Sequence, residues 1–415
     1  MKRSASLIFS NKNWLQVVLK NTFWVSVSEG ITRLSRAGIV ILMARVLGPD
    51  GYGNFAFAFA AASMFVFVYD AGLANTVTRD FAKNSENEKL FPDILSLKLI
   101  LSLLGISAIV ISSLFVTGDN SVRALMIVLG LYFMVADFET SLFLVLRARQ
   151  RMEYEALIRI LVSLGLAAAT AVVLWKAASP INMAYVFLGS SFVSTLISFW
   201  VRRKLAGSLS IRVNPSVWMR MLKVSIPIGA TGALSGFYFS LDSTMLGLVG
   251  TFRDTGLYTA VSRIAYFLVL PGTVLAAVLI PALSAATSSG SAYVANRLNL
   301  WVVMNLALGG FMVAFFWSQS DEVINLLYGN EFSESAKALK LLVVTTLVIY
   351  IYYPWYTTLI VYEKQNWLLL ATIGGLVVNV ALTASLIPFF GITGAALSSV
   401  GTHAAVMLGF AFFTI

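Results

Sequence analysis

The sequence predicts an all-α, polytopic membrane protein with about twelve transmembrane helices in two six-helix bundles. Three observations carry that prediction. Of the 415 residues, 59% are hydrophobic and only 12% are charged, whereas a soluble domain carries about 25% charged residues. Mean hydropathy is +0.85. Apolar runs of about 20 residues, the length that crosses a bilayer as a helix, follow one another with little polar sequence between them.

The runs lie at roughly 22–46, 53–77, 94–116, 122–146, 156–175, 182–201, 224–249, 256–284, 298–317, 338–360, 367–388 and 392–413. Residues 1–20 form a polar segment before the first run. That run is too long, and too charged, for a cleavable signal peptide, so it is expected to remain as a helix. Gly48-Pro49-Asp50-Gly51-Tyr52-Gly53 reads as a short outer turn between the first two runs. The longest inner loop, about 201–223, holds six basic residues and no acid. The longest outer loop, about 318–337, is acidic. Pro227, Pro271, Pro281, Pro354 and Pro388 lie inside or at the ends of runs, where proline kinks a helix.

Charge fixes the orientation. With residue 1 in the cytoplasm, eighteen of the 29 Lys and Arg fall on the inner side. Six fall outside (Arg45, Arg123, Lys176, Arg253, Lys337 and Lys340), and five lie within runs (Arg33, Arg36, Lys98, Arg159 and Arg263). This is the positive-inside asymmetry, and with an even number of spans it puts both termini in the cytoplasm. The net charge of +10 is thereby explained by topology and calls for no nucleic-acid partner.

The basic loop divides the chain into residues 1–20, a first lobe at 21–201, a linker at 202–223 and a second lobe at 224–415. The halves look related. Leu47-Gly48 through Gly53-Asn54-Phe55 is similar to Val249-Gly250 through Gly256-Leu257-Tyr258, and Pro180–Ala184 before the sixth run is similar to Gly391–Ala395 before the twelfth. Six spans per half give repeats of equal orientation, related by a pseudo-twofold along the membrane normal.

The residues that could act on a cargo are the charges inside the runs. Glu29, Arg33 and Arg36 lie at i, i+4 and i+7 and share one face of the first helix. A charge at that depth costs at least about 2.5–3.5 kcal/mol, so such residues face protein or water. Glu29 is placed to pair with Arg33, whereas Arg36 has no acid at that spacing. Arginine suits phosphate because its planar fork makes bidentate, charge-assisted bonds. Arg263, flanked by Tyr258 and Tyr266, is a third candidate. Lys98 and Arg159 lie near inner ends and are expected to snorkel. Asp137 and Glu139 are two apart and face opposite sides of their helix. Asp242, Glu29 and the single histidine, His403, are the candidates for coupling to H⁺ or Na⁺.

Other chemistries lack their residues. There is no cysteine, no Gly-Lys-Ser or Gly-Lys-Thr phosphate loop, and no multi-histidine metal set. The sequence calls for no metal and no cofactor.

Several motifs, taken in order, resemble a known family. Arg45-Val46-Leu47-Gly48-Pro49-Asp50-Gly51-Tyr52-Gly53 is similar to its turn after the first helix. Asp70-Ala71-Gly72-Leu73 with Arg79 resembles the end of its second helix, and Pro281-Ala282-Leu283-Ser284 the end of its eighth. Leu326-Leu327-Tyr328-Gly329 with Phe332 and Ala336 resembles its outer segment before the tenth, and Gly391-Ile392-Thr393-Gly394-Ala395-Ala396 its turn into the twelfth. The family is the polysaccharide flippases (Wzx-type) of the multidrug/oligosaccharidyl-lipid/polysaccharide exporter superfamily, and the similarity runs from about residue 20 to the end. It implies a non-enzymatic transporter in a bacterial or archaeal cytoplasmic membrane. Its cargo would be undecaprenyl-pyrophosphate-linked oligosaccharide, carried from the inner to the outer leaflet. Its partners would be that substrate, membrane lipid and other polysaccharide-assembly membrane proteins. The motifs carry fold rather than substrate contacts, so Arg33, Arg36 and Arg263 rest on depth and chemistry. The chain stops at Ile415, after the twelfth run, without the longer tail or fourteen spans of some relatives.

Two competing readings make distinct demands. A cation-coupled multidrug exporter of the same superfamily would present an acidic, aromatic cavity, against which Arg33 and Arg36 argue. A membrane glycan polymerase or ligase would present a large outer catalytic loop, and the segment at 318–337 is short.

Overall fold

The computed structural model describes residues 14–286, 291–362 and 364–414, and every regular element among them is helical. A bilayer offers the backbone no water to bond with, so a segment that crosses it must satisfy its own N–H and C=O groups. The elements are α1 (Trp14–Ser63), α2 (Val66–Asp70), α3 (Leu73–Lys83), α4 (Phe91–Val116), α5 (Asn120–Ala148) and α6 (Met152–Ala177), then α7 (Pro180–Ala206), α8 (Pro215–Val249), α9 (Phe252–Ala286), α10 (Ser291–Tyr328), α11 (Ser335–Val361) and α12 (Gln365–Thr414). Short 3₁₀ turns lie at Ser85–Leu90 and Asn330–Phe332. Residues 1–13, with Lys2, Arg3 and Lys12, lie outside the described residues, as do Ile415 and the side chains of the 281–284 motif and Arg297.

Among the described residues, eight helical stretches are long and apolar enough to cross a membrane, or nine if the bent pair Pro215–Tyr238 and Ser240–Val249 is one span. The chain is thus an all-α, multi-pass membrane protein. Two stretches far exceed the roughly 20 residues that one crossing needs: Gln16–Lys83 has 68 and Asn366–Phe413 has 48. The turns expected there shrink to one residue each. Gly48 breaks α1 at φ 68°, ψ 177°, and Gly391 breaks α12 at φ 52°, ψ −128°. Only glycine enters that backbone region cheaply. Pro49 then resumes the helix at a position whose missing N–H costs nothing.

Three other expectations change. The second run is interrupted at 64–65 and again at Ala71 and Gly72, whose φ values are 47° and 78°. The outer loop at 318–337 is mostly helix, because Ile324 and Tyr328, at helical spacing, are buried and carry α10 to Tyr328. The inner loop at 201–223 reduces to 207–214, since α7 runs to Ala206 and α8 starts at Pro215. That short linker is tied down. Ser96 donates to the Arg212 carbonyl at 2.6 Å, Arg212 chelates the buried carboxylate of Asp93, and Trp218 Nε1 donates to the Asp93 carbonyl at 2.8 Å. Asp93 sits in the first turn of α4, where the helix dipole favours an anion.

The chain divides into two compact units, Met1–Leu47 with Ala58–Gly236 and Gly48–Phe57 with Phe237–Ile415. In the first, α5 packs on α4 and α7, and α6 packs on α7. Its core gathers Leu73, Phe81, Phe91, Ile94, Leu144 and Met221. In the second, α11 packs on α9, α10 and α12 around Ile349, Tyr352, Leu359, Val406 and Phe410.

Small residues let helices approach closely where no hydrophobic force pulls them together. In the second unit a Cβ on Gly53 would lie 1.7 Å from the Phe252 carbonyl oxygen, and one on Gly256 would lie 2.1 Å from that of Pro49. Each glycine meets the carbonyl four residues before the other, the reciprocity of a twofold contact. These are the segments whose sequences look duplicated.

Candidate functional site

Helical spacing puts Glu29, Arg33 and Arg36 on one face of α1, and the side chains of α5 and α6 extend that face into a ladder. Arg33 Nε donates to Glu29 Oε2 at 3.1 Å, with half of each side chain exposed. Glu29 Oε1 lies 3.8 Å from Arg159 Nη1 on α6. Arg159 Nη2 reaches Glu155 Oε1 at 2.7 Å. Arg147, from the end of α5, grips Glu155 with both forks at 2.6 and 2.7 Å. The ladder alternates three arginines with two glutamates, leaving one positive charge.

Arg36 adds a second positive charge. It is exposed and has no ion-pair partner among the described residues. Its charge is felt by Tyr132, which belongs to an aromatic group with Phe59, Phe133 and Phe187 at centroid distances of 5.0–6.3 Å. Exposed, ionised side chains at this depth are tolerated where they meet water rather than lipid tails. The face is therefore cationic and fit to line an aqueous cavity.

Arg159 thus pairs with two carboxylates rather than snorkelling. Lys98 departs further from expectation, being fully buried. Its ammonium lies 2.7 Å from both Asp70 and Asp137 and also reaches the Tyr69 carbonyl at 3.4 Å. Asp70 accepts the Ala74 N–H at 3.1 Å as well, so the triad pins the break between α2 and α3. Glu139, on the other side of α5, accepts from Ser194 at 2.6 Å and Ser198 at 3.0 Å of α7. Asp137 and Glu139 serve different neighbours, as their spacing requires. The signal for the Lys98 triad was present in the sequence, since buried charges are paired and two unmatched acids sat in the same lobe.

The second unit holds a carboxylate with neutral partners. Asp242 on α8 is buried; Tyr258 donates to Oδ2 at 2.6 Å and Asn379 Nδ2 to Oδ1 at 3.2 Å. Asn379 Nδ2 also reaches Thr402 Oγ1 at 3.2 Å, and the Thr383 hydroxyl donates to the Asn379 backbone carbonyl at 2.5 Å. The Oδ1 of Asn379 is buried without a hydrogen-bond partner. An orphaned amide oxygen beside a buried anion and two hydroxyls is a donor set suited to a small hard cation. Sequence reading found Asp242 but not Asn379, Thr383 or Thr402, which lie on α12 and converge only through folding.

His403 is buried beside this group. Its Nδ1 lies 3.2 Å from the Tyr352 hydroxyl, and Tyr238 packs edge-on at 5.2 Å. With Ser262, Tyr266, Thr345 and Ser399 it lines a small, mainly apolar pocket that Val269 and Ile349 also wall. Arg263, on α9, is exposed, and its charge reaches Tyr52, Tyr266 and Tyr328. The hydroxyl of Tyr258, the other tyrosine near Arg263 in sequence, serves Asp242. Glu29, Arg33 and Arg36 thus belong to the first unit, and Asp242, Arg263 and His403 to the second. Among the described residues, no group of three or more His, Cys, Asp or Glu side chains is arranged to hold a metal.

A family model described as "Polysaccharide biosynthesis protein" matches residues 18–287. No curated protein gives a significant match. Among solved structures, a multidrug resistance MATE family transporter of the MOP superfamily, in an inward-facing conformation, is similar with a TM-score of 0.75 at 18% identity, over 94% of this chain and 97% of that one. The lipid II flippase MurJ, in an inward closed conformation, is similar with a TM-score of 0.68 at 14% identity, over 94% and 86%. A MOP superfamily transporter from Pyrococcus furiosus, described as having a binding pocket of reversed polarity, is similar with a TM-score of 0.56 at 16% identity, over 98% and 96%.

Proposed function

The chain belongs to the polysaccharide biosynthesis protein family and has the transporter fold of the MOP superfamily, and from that premise we propose that it moves undecaprenyl-pyrophosphate-linked oligosaccharide units across a bacterial or archaeal cytoplasmic membrane. The single observation that carries this reading is Arg36. A guanidinium exposed at mid-span, without an acid partner among the described residues and one turn from Arg33, is an anion site. The likeness of fold to a lipid II flippase is consistent with a lipid-linked cargo.

In this reading the helix breaks at Gly48 and Gly391 are hairpin points, which raises nine spans to eleven, and α9 (Phe252–Ala286) is the twelfth. The lobes are 21–201 and 224–415, joined by the basic linker 202–223, with both termini in the cytoplasm. The similar segments at 47–55 and 249–258 support a pseudo-twofold along the membrane normal. Transport proceeds by alternating access. Arg33 and Arg36 hold the pyrophosphate, and Arg263, backed by tyrosines, is a further candidate contact for the anionic cargo.

Asp242 with Asn379, Thr383 and Thr402 is the seat of coupling to Na⁺ or H⁺. Glu29 and His403 are secondary candidates for it. Glu29 is bonded to arginine, and His403 is held by Tyr352.

The test is the flux of a fluorescent undecaprenyl-pyrophosphate oligosaccharide in proteoliposomes. Wild type transports it, and Arg36→Ala loses most of the flux while folding normally. Charged hydrogen bonds contribute about 1.5–3 kcal/mol, so the expected loss is roughly ten- to a hundred-fold. Drug efflux without lipid transport would overturn the reading in favour of a multidrug exporter.

A further inference from the structure

We infer that Glu29 is a built-in competitor for the cargo's phosphate: its carboxylate holds Arg33 and Arg159 together in the empty transporter and is displaced when an anionic head group binds. This rests on the anion site proposed above, and it adds Arg159 to that site.

The argument starts from the two carboxylates of the ladder. Glu155 is only 11% exposed, is gripped by both forks of Arg147 and is bonded by Arg159, with contacts of 2.6–2.7 Å. Breaking such a buried pair strands a charge, so Glu155 is a fixed anchor. Glu29 differs in each respect. It is 46% exposed, and its contacts are longer, 3.1 Å to Arg33 and 3.8 Å to Arg159. Exposed pairs of this kind are weak and readily exchanged.

Geometry supplies the second half. One oxygen of Glu29 faces Arg33 and the other faces Arg159. A single small anion therefore already bridges two guanidiniums from different helices, which is the arrangement a phosphate requires. A phosphate brings more charge and more acceptor oxygens than a carboxylate. It can also take up Arg36, which Glu29 does not engage. Displacement leaves Arg159 anchored through Glu155, so the clamp stays positioned while its occupant changes. Glu29 thus offsets part of the site's positive charge between cargoes and sets how tightly each is held.

Titration of a short-chain prenyl pyrophosphate onto the purified full-length protein in nanodiscs tests this. Glu29→Gln keeps the side chain's size but removes the competing charge, and its Kd is expected to fall about three- to five-fold. Arg159→Gln is expected to raise Kd about ten-fold. Asp321→Asn, the same change of charge at an exposed residue of the other unit, leaves Kd unaltered. If Arg36→Ala abolishes binding while Glu29→Gln is unchanged or weaker, the competitor role is wrong and the pyrophosphate site stands. Equal tightening by Glu29→Gln and Asp321→Asn would mean a general field effect and would also overturn it. No binding by wild type or any variant would sink the flippase reading and this inference together.

Discussion

The two units solve the problem of a carboxylate inside a membrane in different ways. In the first, most acids are matched with bases: Asp70 and Asp137 with Lys98, Glu155 with Arg147 and Arg159, Glu29 with Arg33, while Glu139 is held by two serines. In the second, Asp242 accepts from the Tyr258 hydroxyl and the Asn379 amide. Paired charges are costly to separate and hold their shape. A carboxylate among neutral donors has no fixed counter-charge and can exchange a small cation. We propose that anion recognition rests chiefly on the first unit, where bases exceed acids on the α1 face, and ion exchange on the second.

The comparison can be broken in four ways, here in order of expected effect. Lys98→Met should be the most severe, because it strands the buried carboxylate of Asp137 and the half-buried one of Asp70. A loss of about 3–5 kcal/mol is expected, seen as a lower melting temperature in detergent, and a change under about 1 kcal/mol would show that the triad is not a structural pin. Arg36→Ala comes next and lowers flux by about ten-fold or more with an unchanged melting temperature; a matching drop in both would make Arg36 structural. Asp242→Asn should leave melting and cargo affinity near wild type yet remove the dependence of transport on the Na⁺ or H⁺ gradient. Retention of that dependence would exclude Asp242 as the coupling residue. Tyr258→Phe is the mildest, deleting one hydrogen bond to Asp242 for about 1 kcal/mol, and should shift the apparent affinity for the coupling ion before it shifts stability.

Much of this division was legible in the sequence. Hydropathy marked the runs that became helices, because backbone satisfaction in lipid leaves few alternatives. Spacing on a single helix placed Glu29 against Arg33 and sent Asp137 and Glu139 to opposite faces, since helical geometry is local. What escaped was non-local or hidden in a single residue. The partners of Lys98 come from α2 and α5, and the ligands of Asp242 from α9 and α12. No period in the sequence links them. The turns at Gly48 and Gly391 looked like loops because Pro and Gly usually mark loops, whereas here one left-handed glycine suffices. Arg159 and Lys98 were read as snorkelling residues because depth alone does not reveal an acid on a neighbouring helix.

The most direct test of the central claim compares two variants in one proteoliposome assay, with lipid-linked oligosaccharide supplied either under an imposed ion gradient or at equilibrium exchange. The account predicts that Arg36→Ala fails in both modes, because it cannot hold the cargo. It predicts that Asp242→Asn keeps equilibrium exchange and loses only the gradient-driven component. If Asp242→Asn abolishes exchange, or Arg36→Ala leaves exchange intact, the division of anion recognition and ion coupling between the two units is wrong.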